Sequence, residues 1–158
     1  MIEEGTPAPD FTLPSDSGHD ITLSALRGSP IVLYFYPKDD TPACTKEACN
    51  FRDARDALSE YGKCKVVGIS KDSVRSHKKF AGKHGLNFTL LSDPDHKVIE
   101  AYGAWKPKKF MGREYLGIMR NTYLINPNGV IAKAYEDITP SEHVGQILED
   151  LRSLGSEA

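Results

Sequence analysis

The chain has 158 residues, 39% of them apolar and 27% charged, with a formal net charge of −2. These values fit one globular domain spanning 1–158 with a substantial core, and argue against disorder, collagen-like structure and a general nucleic-acid surface. No leader peptide or long apolar run is expected from the sequence, so the reading is a protein with no membrane span, in a reducing, cytoplasmic setting.

The first ten residues are turn-rich. Phe11-Thr-Leu13 and Ile21-Thr-Leu23 flank Ser15-Asp-Ser-Gly-His19, which predicts a small N-terminal hairpin. Ser24 to Gly28 reads as one helical turn ended by glycine. Ile31 to Tyr36 is apolar on both faces and predicts a central strand.

A helix is expected after Thr41, running to near Tyr61 with Ala48, Phe51, Ala54, Leu58 and Tyr61 on one face. Cys64–Ile69 reads as a buried strand. Ser73 caps a helix to Lys83 whose apolar side is thin: Val74, His77 or Lys78, Phe80 and Ala81. Phe88–Leu91 is a strand, followed by a short helix holding Val98, Ile99 and Tyr102. Residues 103–118 suggest a structured loop or small hairpin, and Lys106-Pro-Lys-Lys109 a solvated loop. Thr122–Ile125 and Val130–Ala134 flank the turn Asn126-Pro-Asn-Gly129. A last helix is expected from Pro140 or Ser141 to about Leu154. Strands alternating with helices, then a hairpin and a helix, predict an α/β fold: a mixed sheet flanked by helices.

The chemistry concentrates in Pro37-Lys-Asp-Asp-Thr-Pro-Ala-Cys44. Thr41 is a natural N-cap and Pro42 a natural first helical residue, so Cys44 falls at N3. There a thiolate lies near unpaired backbone N–H groups and the positive end of the helix dipole. Cysteine alone is often just a small buried hydrophobe; the cap, Pro42 and the adjacent strand end set Cys44 where open α/β sheets place ligands.

Cys49 lies five residues farther on. In an intact helix that is ~7.5 Å of rise and ~140° of rotation, which puts the two Cα atoms about 8–9 Å apart. A disulfide would need the first turns to unwind. Spacing alone leaves Cys49 open between a reactive thiol and a helix cysteine beside the core. Cys64 opens a strand and reads as packing. A zinc site from Cys44, Cys49, Cys64 and a histidine matches no common ligand spacing. His19, His77, His84, His96 and His143 are scattered and read as surface residues, none forming a relay with a cysteine. Arg120, just before the strand 122–125, is by position a surface arginine; reaching Cys44, it would stabilise a thiolate and offer a fork of donors to an oxygen substrate.

Pro37 to Cys44 resembles the peroxiredoxin signature of proline, three residues, threonine or serine, two residues and cysteine. Thr45-Lys-Glu-Ala-Cys-Asn-Phe-Arg-Asp53 resembles the bacterioferritin-comigratory-protein, or PrxQ, branch of that family. So do Thr6–Leu13, Phe88–Asp93, Phe110-Met-Gly112 and Arg120–Ile125, over nearly the whole chain. The resemblance implies a thioredoxin-like fold in which the N-terminal hairpin is an extension. It implies that Cys44 is the peroxidatic and Cys49 the resolving cysteine, joined in an intramolecular disulfide. Thr41 would face the peroxide and sulfur, Pro37 would shield the pocket, Arg120 would be fixed against thiolate and substrate oxygen, and Glu47 would orient the arginine. Ala43 departs from a frequent glycine and Asn126 from a frequent aspartate; neither is a reacting group.

The function so implied is thiol-dependent reduction of hydrogen peroxide and alkyl hydroperoxides, with thioredoxin restoring the cysteines. The sequence carries no flavin motif and no cofactor is expected. Relatives in this branch are often monomers, with a dimer left open. A thioredoxin-like disulfide reductase and a non-catalytic thiol-containing binding protein are the rival readings.

Overall fold

The computed structural model describes residues 1–156. Strands β1 (Thr12–Pro14) and β2 (Asp20–Thr22) form the expected antiparallel hairpin, followed by a 3-10 turn at Leu23–Leu26. Then come β3 (Ile31–Phe35), α1 (Pro42–Asp53), α2 (Arg55–Ser59), β4 (Lys65–Ser70), α3 (Val74–His84), β5 (Thr89–Ser92) and α4 (Lys97–Ala101). The remainder is β6 (Trp105–Phe110), β7 (Arg113–Ile118), β8 (Thr122–Ile125), β9 (Ile131–Tyr135) and α5 (Pro140–Ser156).

The main sheet runs β5-β4-β3-β8-β9, with β3 in the centre. Strands β4 and β5 are parallel to their inner neighbours, whereas β8 and β9 pair antiparallel. Each face of β3 feeds a different core. Val32, Tyr34 and Tyr36 pack with Phe51, Leu58, Phe80, Ile147 and Leu151, from helices α1, α2, α3 and α5. Ile31, Leu33 and Phe35 pack with Leu23, Ile99, Tyr102 and Tyr123, on the side closed by α4 and the N-terminal segment. A strand buried on both faces has no polar side to alternate, which is why 31–36 reads as one apolar run. Gly68 of β4 lies opposite Tyr34, where an added Cβ would come within 2.8 Å of the Tyr34 ring; the absent side chain makes room for the ring.

Four expectations change. The helix after Thr41 does not run unbroken to Tyr61: it turns at Ala54 (φ −92°, ψ 0°) and resumes as α2. The Arg52 carbonyl accepts from Asn87 Nδ2 at 3.1 Å and Arg52 Nη1 donates to the His84 carbonyl at 2.7 Å, tertiary contacts that outweigh local helix propensity. Lys106–Lys109 lies in strand β6 and not in a loop, paired along β7 through a tight turn in which Met111 and Gly112 both have positive φ. Its pairing is satisfied within the hairpin, so the lysines need no sheet neighbour. His77 and His143 are buried, not on the surface, at 0% and 2% exposure.

Helix α3 does start at Ser73, whose hydroxyl accepts from the Ser76 N–H at 3.1 Å, and ends on Gly85 in the left-handed conformation. Among the described residues, no helix is long and apolar enough to cross a membrane.

Candidate active site

Strand β3 ends at the centre of the sheet and delivers the chain into the loop 37–41 and then the N-terminus of α1. Thr41 occupies the N-cap with extended backbone (φ −94°, ψ 156°), and Pro42 opens the helix. The Thr41 side chain does not cap the helix. Its Oγ1 donates to the Lys38 carbonyl at 2.9 Å and closes the loop on itself. Having spent its proton there, the hydroxyl oxygen can only accept from a further partner.

Cys44 sits one turn into α1, buried beneath the helix start. Arg120, from the segment between β7 and β8, reaches it: Nη2 donates to Cys44 Sγ at 3.0 Å. The same guanidinium donates through Nη1 to Glu47 Oε1 at 3.2 Å. Arg120 therefore bridges two α1 side chains that stand three residues apart on one face. Its side chain is 18% exposed whereas that of Glu47 is 1% exposed, so solvent meets the cluster on the guanidinium side.

Glu47 is unusually placed for a carboxyl. Burial pushes it up to about 7, against the opposing pull of Arg120. Its Oε2 has no hydrogen-bond partner among the described residues. The carboxylate costs desolvation energy, and the two-point hold on Arg120 is what that cost secures. Beneath the cluster, the Tyr34 ring packs on Tyr36 and Phe51 at centroid distances of 5.4 and 4.8 Å. Burial, then the nearby Glu47 and Cys44 charges, holds the Tyr34 hydroxyl well above its ordinary range.

Of the residues singled out from sequence, Arg120 contacts both Cys44 and Glu47, and Thr41 stands at the N-cap position of the same helix start. Pro37 is half-buried at the exit from β3. Cys49 lies on the same unbroken helix with a partly exposed side chain, and Cys44, Cys49 and Cys64 are all free thiols. Cys64 is a packing residue: burial pushes its thiol up to about 12.

Sequence reasoning missed three neighbours. Lys108 of β6 comes near the site; burial, then repulsion from Arg120, holds it below its ordinary value, while Asp137 and Cys44 act the other way. Asp39 and His77 form a buried pair behind the loop, with Nδ1 and Oδ2 2.7 Å apart. Asp39 lay inside the conspicuous motif, and the thin apolar stripe of α3 offered His77 as one of its inward positions.

The AhpC/TSA family profile matches residues 5–134. The chain belongs to the AhpC/TSA family. Within the family it is 44% identical over 156 residues to peroxiredoxin Bcp of Bacillus subtilis, covering 99% of both chains. Peroxiredoxin Q of Xylella fastidiosa matches in structure with a TM-score of 0.90 at 31% identity, over 97% of both chains. The bacterioferritin comigratory protein of Xanthomonas campestris matches with a TM-score of 0.87 at 34% identity, over 92% of both. This AhpC/TSA member is thus a peroxiredoxin of the Bcp and peroxiredoxin Q branch, with the thioredoxin-like fold that the motif implied.

Proposed function

We propose that this thiol-dependent peroxidase reduces hydrogen peroxide and alkyl hydroperoxides with Cys44 as its nucleophile and Cys49 as the resolving thiol. The observation that carries the reading is the Arg120 Nη2–Cys44 Sγ contact of 3.0 Å at the start of α1. A fixed cation and a helix N-terminus both favour the ionised sulfur, the form that attacks. The Xanthomonas campestris relative is described as having alkyl peroxide reduction activity, in line with the same chemistry here.

In the first step the Cys44 thiolate attacks the near oxygen of the hydroperoxide and the O–O bond breaks. The leaving oxygen takes a proton and departs as water or an alcohol, and Cys44 becomes a sulfenic acid. Negative charge moves from sulfur to the departing oxygen, so a donor set aimed at both is worth more in the transition state than before it. Arg120 has the fork for this. Thr41, whose oxygen can only accept, suits the O–H of the bound hydroperoxide. Pro37 keeps water from the loop side, and Glu47 holds the arginine.

In the second step the Cys49 thiolate attacks the sulfenic sulfur, hydroxide leaves as water, and a Cys44–Cys49 disulfide forms. Both residues lie within the continuous helix Pro42–Asp53, so the first turns of α1 unwind before the sulfurs meet. A dithiol then takes the disulfide back to two thiols, and thioredoxin fits that role. The setting we propose is the cytoplasm, where thiols are kept reduced, with the protein working as a monomer.

Mass spectrometry after one equivalent of peroxide should show a Cys44–Cys49 cross-linked peptide; a Cys44–Cys64 link would sink the resolution route. Cys49→Ser should complete one turnover and accumulate Cys44 sulfenic acid, open to further oxidation. Peroxide consumption coupled to thioredoxin, absent in Cys44→Ser, tests the whole cycle. Rapid disulfide reduction with no peroxide consumption would instead favour the reductase reading.

A further inference from the structure

The loop that carries Pro37 and Thr41 is bound to α3 by a buried polar cluster that the peroxide chemistry does not touch. Asp39, 7% exposed, is its centre. Oδ1 accepts from the Tyr36 hydroxyl at 2.6 Å, and Oδ2 accepts from Ser76 Oγ at 2.8 Å. Oδ2 also lies 2.7 Å from His77 Nδ1, and the Asp39 backbone N–H donates to Asp72 Oδ2 at 2.8 Å. Asp72 Oδ2 is in turn held by Ser70 Oγ at 2.7 Å.

His77 is fully buried, and both ring nitrogens are engaged. Nε2 lies 2.9 Å from the Leu91 carbonyl, which can only accept, so Nε2 carries a hydrogen. The short Nδ1–Oδ2 contact then needs one more proton between its two atoms. His77 and Asp39 therefore share a proton, as imidazolium with carboxylate or as two neutral groups, and the link holds in either form. It spans from β5 through α3 to the active-site loop. Asp72, Asp39 and His77 offer metal-ligand atoms near one another, and the hydrogen-bond donors Ser70, Ser76 and the Asp39 N–H are aimed at the same carboxylate oxygens.

The next residue makes a contrasting bond. Asp40, with φ +59°, turns back onto the same helix, where Oδ2 accepts from Lys83 at 2.8 Å and Oδ1 lies 3.1 Å from His84 Nε2. That second attachment is exposed, where ion pairs contribute little. Asp39 and His77 make the buried one.

We infer that His77 is a positioning residue for peroxide reduction: through Asp39 it fixes the loop 37–41, and with it Thr41 and Pro37, against Cys44 and Arg120. The inference rests on the peroxidatic role of Cys44. Its effect falls on the first chemical step, which needs the loop and the helix start in register. It does not fall on resolution, which needs the helix start to open. Misplacement of about 1 Å at a reacting centre can cost about a hundredfold in rate, and loss of this link should cost from tenfold to that figure.

The test is rapid-mixing kinetics on the reduced full chain, reading Cys44 oxidation by hydrogen peroxide separately from Cys49 attack. His77→Ala should slow the first step by about tenfold or more and leave the second at least as fast. Asp40→Asn, on the exposed attachment, should leave both steps within about twofold. Should His77→Ala not fold, Asp39→Ala decides by the same readouts. That change leaves a neutral His77 with its Nε2–H still on the Leu91 carbonyl. Asp39→Asn supplies a rescue, because an amide nitrogen in place of Oδ2 can donate to Nδ1 of neutral His77 and preserve the spacing. It should recover most of the rate lost in Asp39→Ala. A folded His77→Ala or Asp39→Ala whose first step matches wild type, or an Asp39→Asn as slow as Asp39→Ala, overturns the inference. A wild-type protein whose Cys44 does not react with peroxide would instead overturn the peroxidatic assignment beneath it.

Discussion

Glu47→Gln separates stability from activity at this site. The carboxyl ordinarily releases its proton near 4.5, and in the folded chain burial raises that to about 7. Between these values the native state keeps a proton that the unfolded chain has lost, so stability falls as pH rises through the window. The interval from 4.5 to about 7 converts to about 3 kcal/mol, fully in force above about pH 7. Glutamine has nearly the same shape and no proton to lose. Urea unfolding of the reduced protein should therefore show wild type and Glu47→Gln alike at about pH 5, and the variant more stable by up to about 3 kcal/mol at about pH 8. The same variant should react with peroxide about tenfold more slowly, since Arg120 loses the anionic half of its two-point hold. An unfolding difference between the two proteins that is the same at both pH values would refute the reasoning.

Arg120→Met removes the cation from Cys44 Sγ and should slow Cys44 oxidation by about a hundredfold, read by stopped-flow with hydrogen peroxide; an unchanged rate would take Arg120 out of the site. Cys64→Ala should cost about 1–2 kcal/mol in urea unfolding and leave peroxidase turnover intact, and wild-type Cys64 should resist alkylation in the folded protein at about pH 8. His143 is buried against Phe51 and Tyr135, and burial pushes it down to about 4. The unfolded chain then takes up a proton that the native state refuses, so stability is lost as pH falls from 6.5 toward about 4. His143→Leu should lose less stability than wild type over that range in the same unfolding assay.

Much of the fold and site lay open in local patterns. The two-faced apolar run at 31–36, the Thr41-Pro42 helix start and the Ser73 cap each depend on residues within one or two turns, and each appears where those residues stand. The signature through Cys44 pointed to the sulfur proposed to react, and the family pattern to Arg120, which the structure places 3.0 Å from it. Contacts between distant residues were the part that local pattern did not carry. Helix propensity favours Ala54 and Arg55, yet Asn87 and the His84 carbonyl, more than thirty residues away, fasten Arg52 where the helix turns. The apolar stripe of its helix offered His77 as an inward position, but its role was hidden because its partners, Asp39 and the Leu91 carbonyl, come from two other segments. Lys108 looked like part of a solvated basic run because nothing in its neighbours tells that the hairpin folds back toward Arg120.

The two ends of α1 are held differently. Its C-terminal half is fastened to the body of the protein, by Asn50 Nδ2 on the Pro140 carbonyl at 3.0 Å and by the two bonds at Arg52. Its first two turns carry the contacts to Arg120 and the buried Cys44, both of which the proposed peroxide chemistry would alter. Under the proposed cycle, disulfide formation would melt the first turns while the fastened half keeps its helical backbone. Once the disulfide is reduced, the lost turns can regrow from that surviving segment. Adding residues to an existing helix avoids the nucleation penalty and takes only nanoseconds per residue. The return to the peroxide-ready state should therefore be limited by delivery of reductant and not by refolding, and the same helix can be dismantled in every turnover without slowing the enzyme.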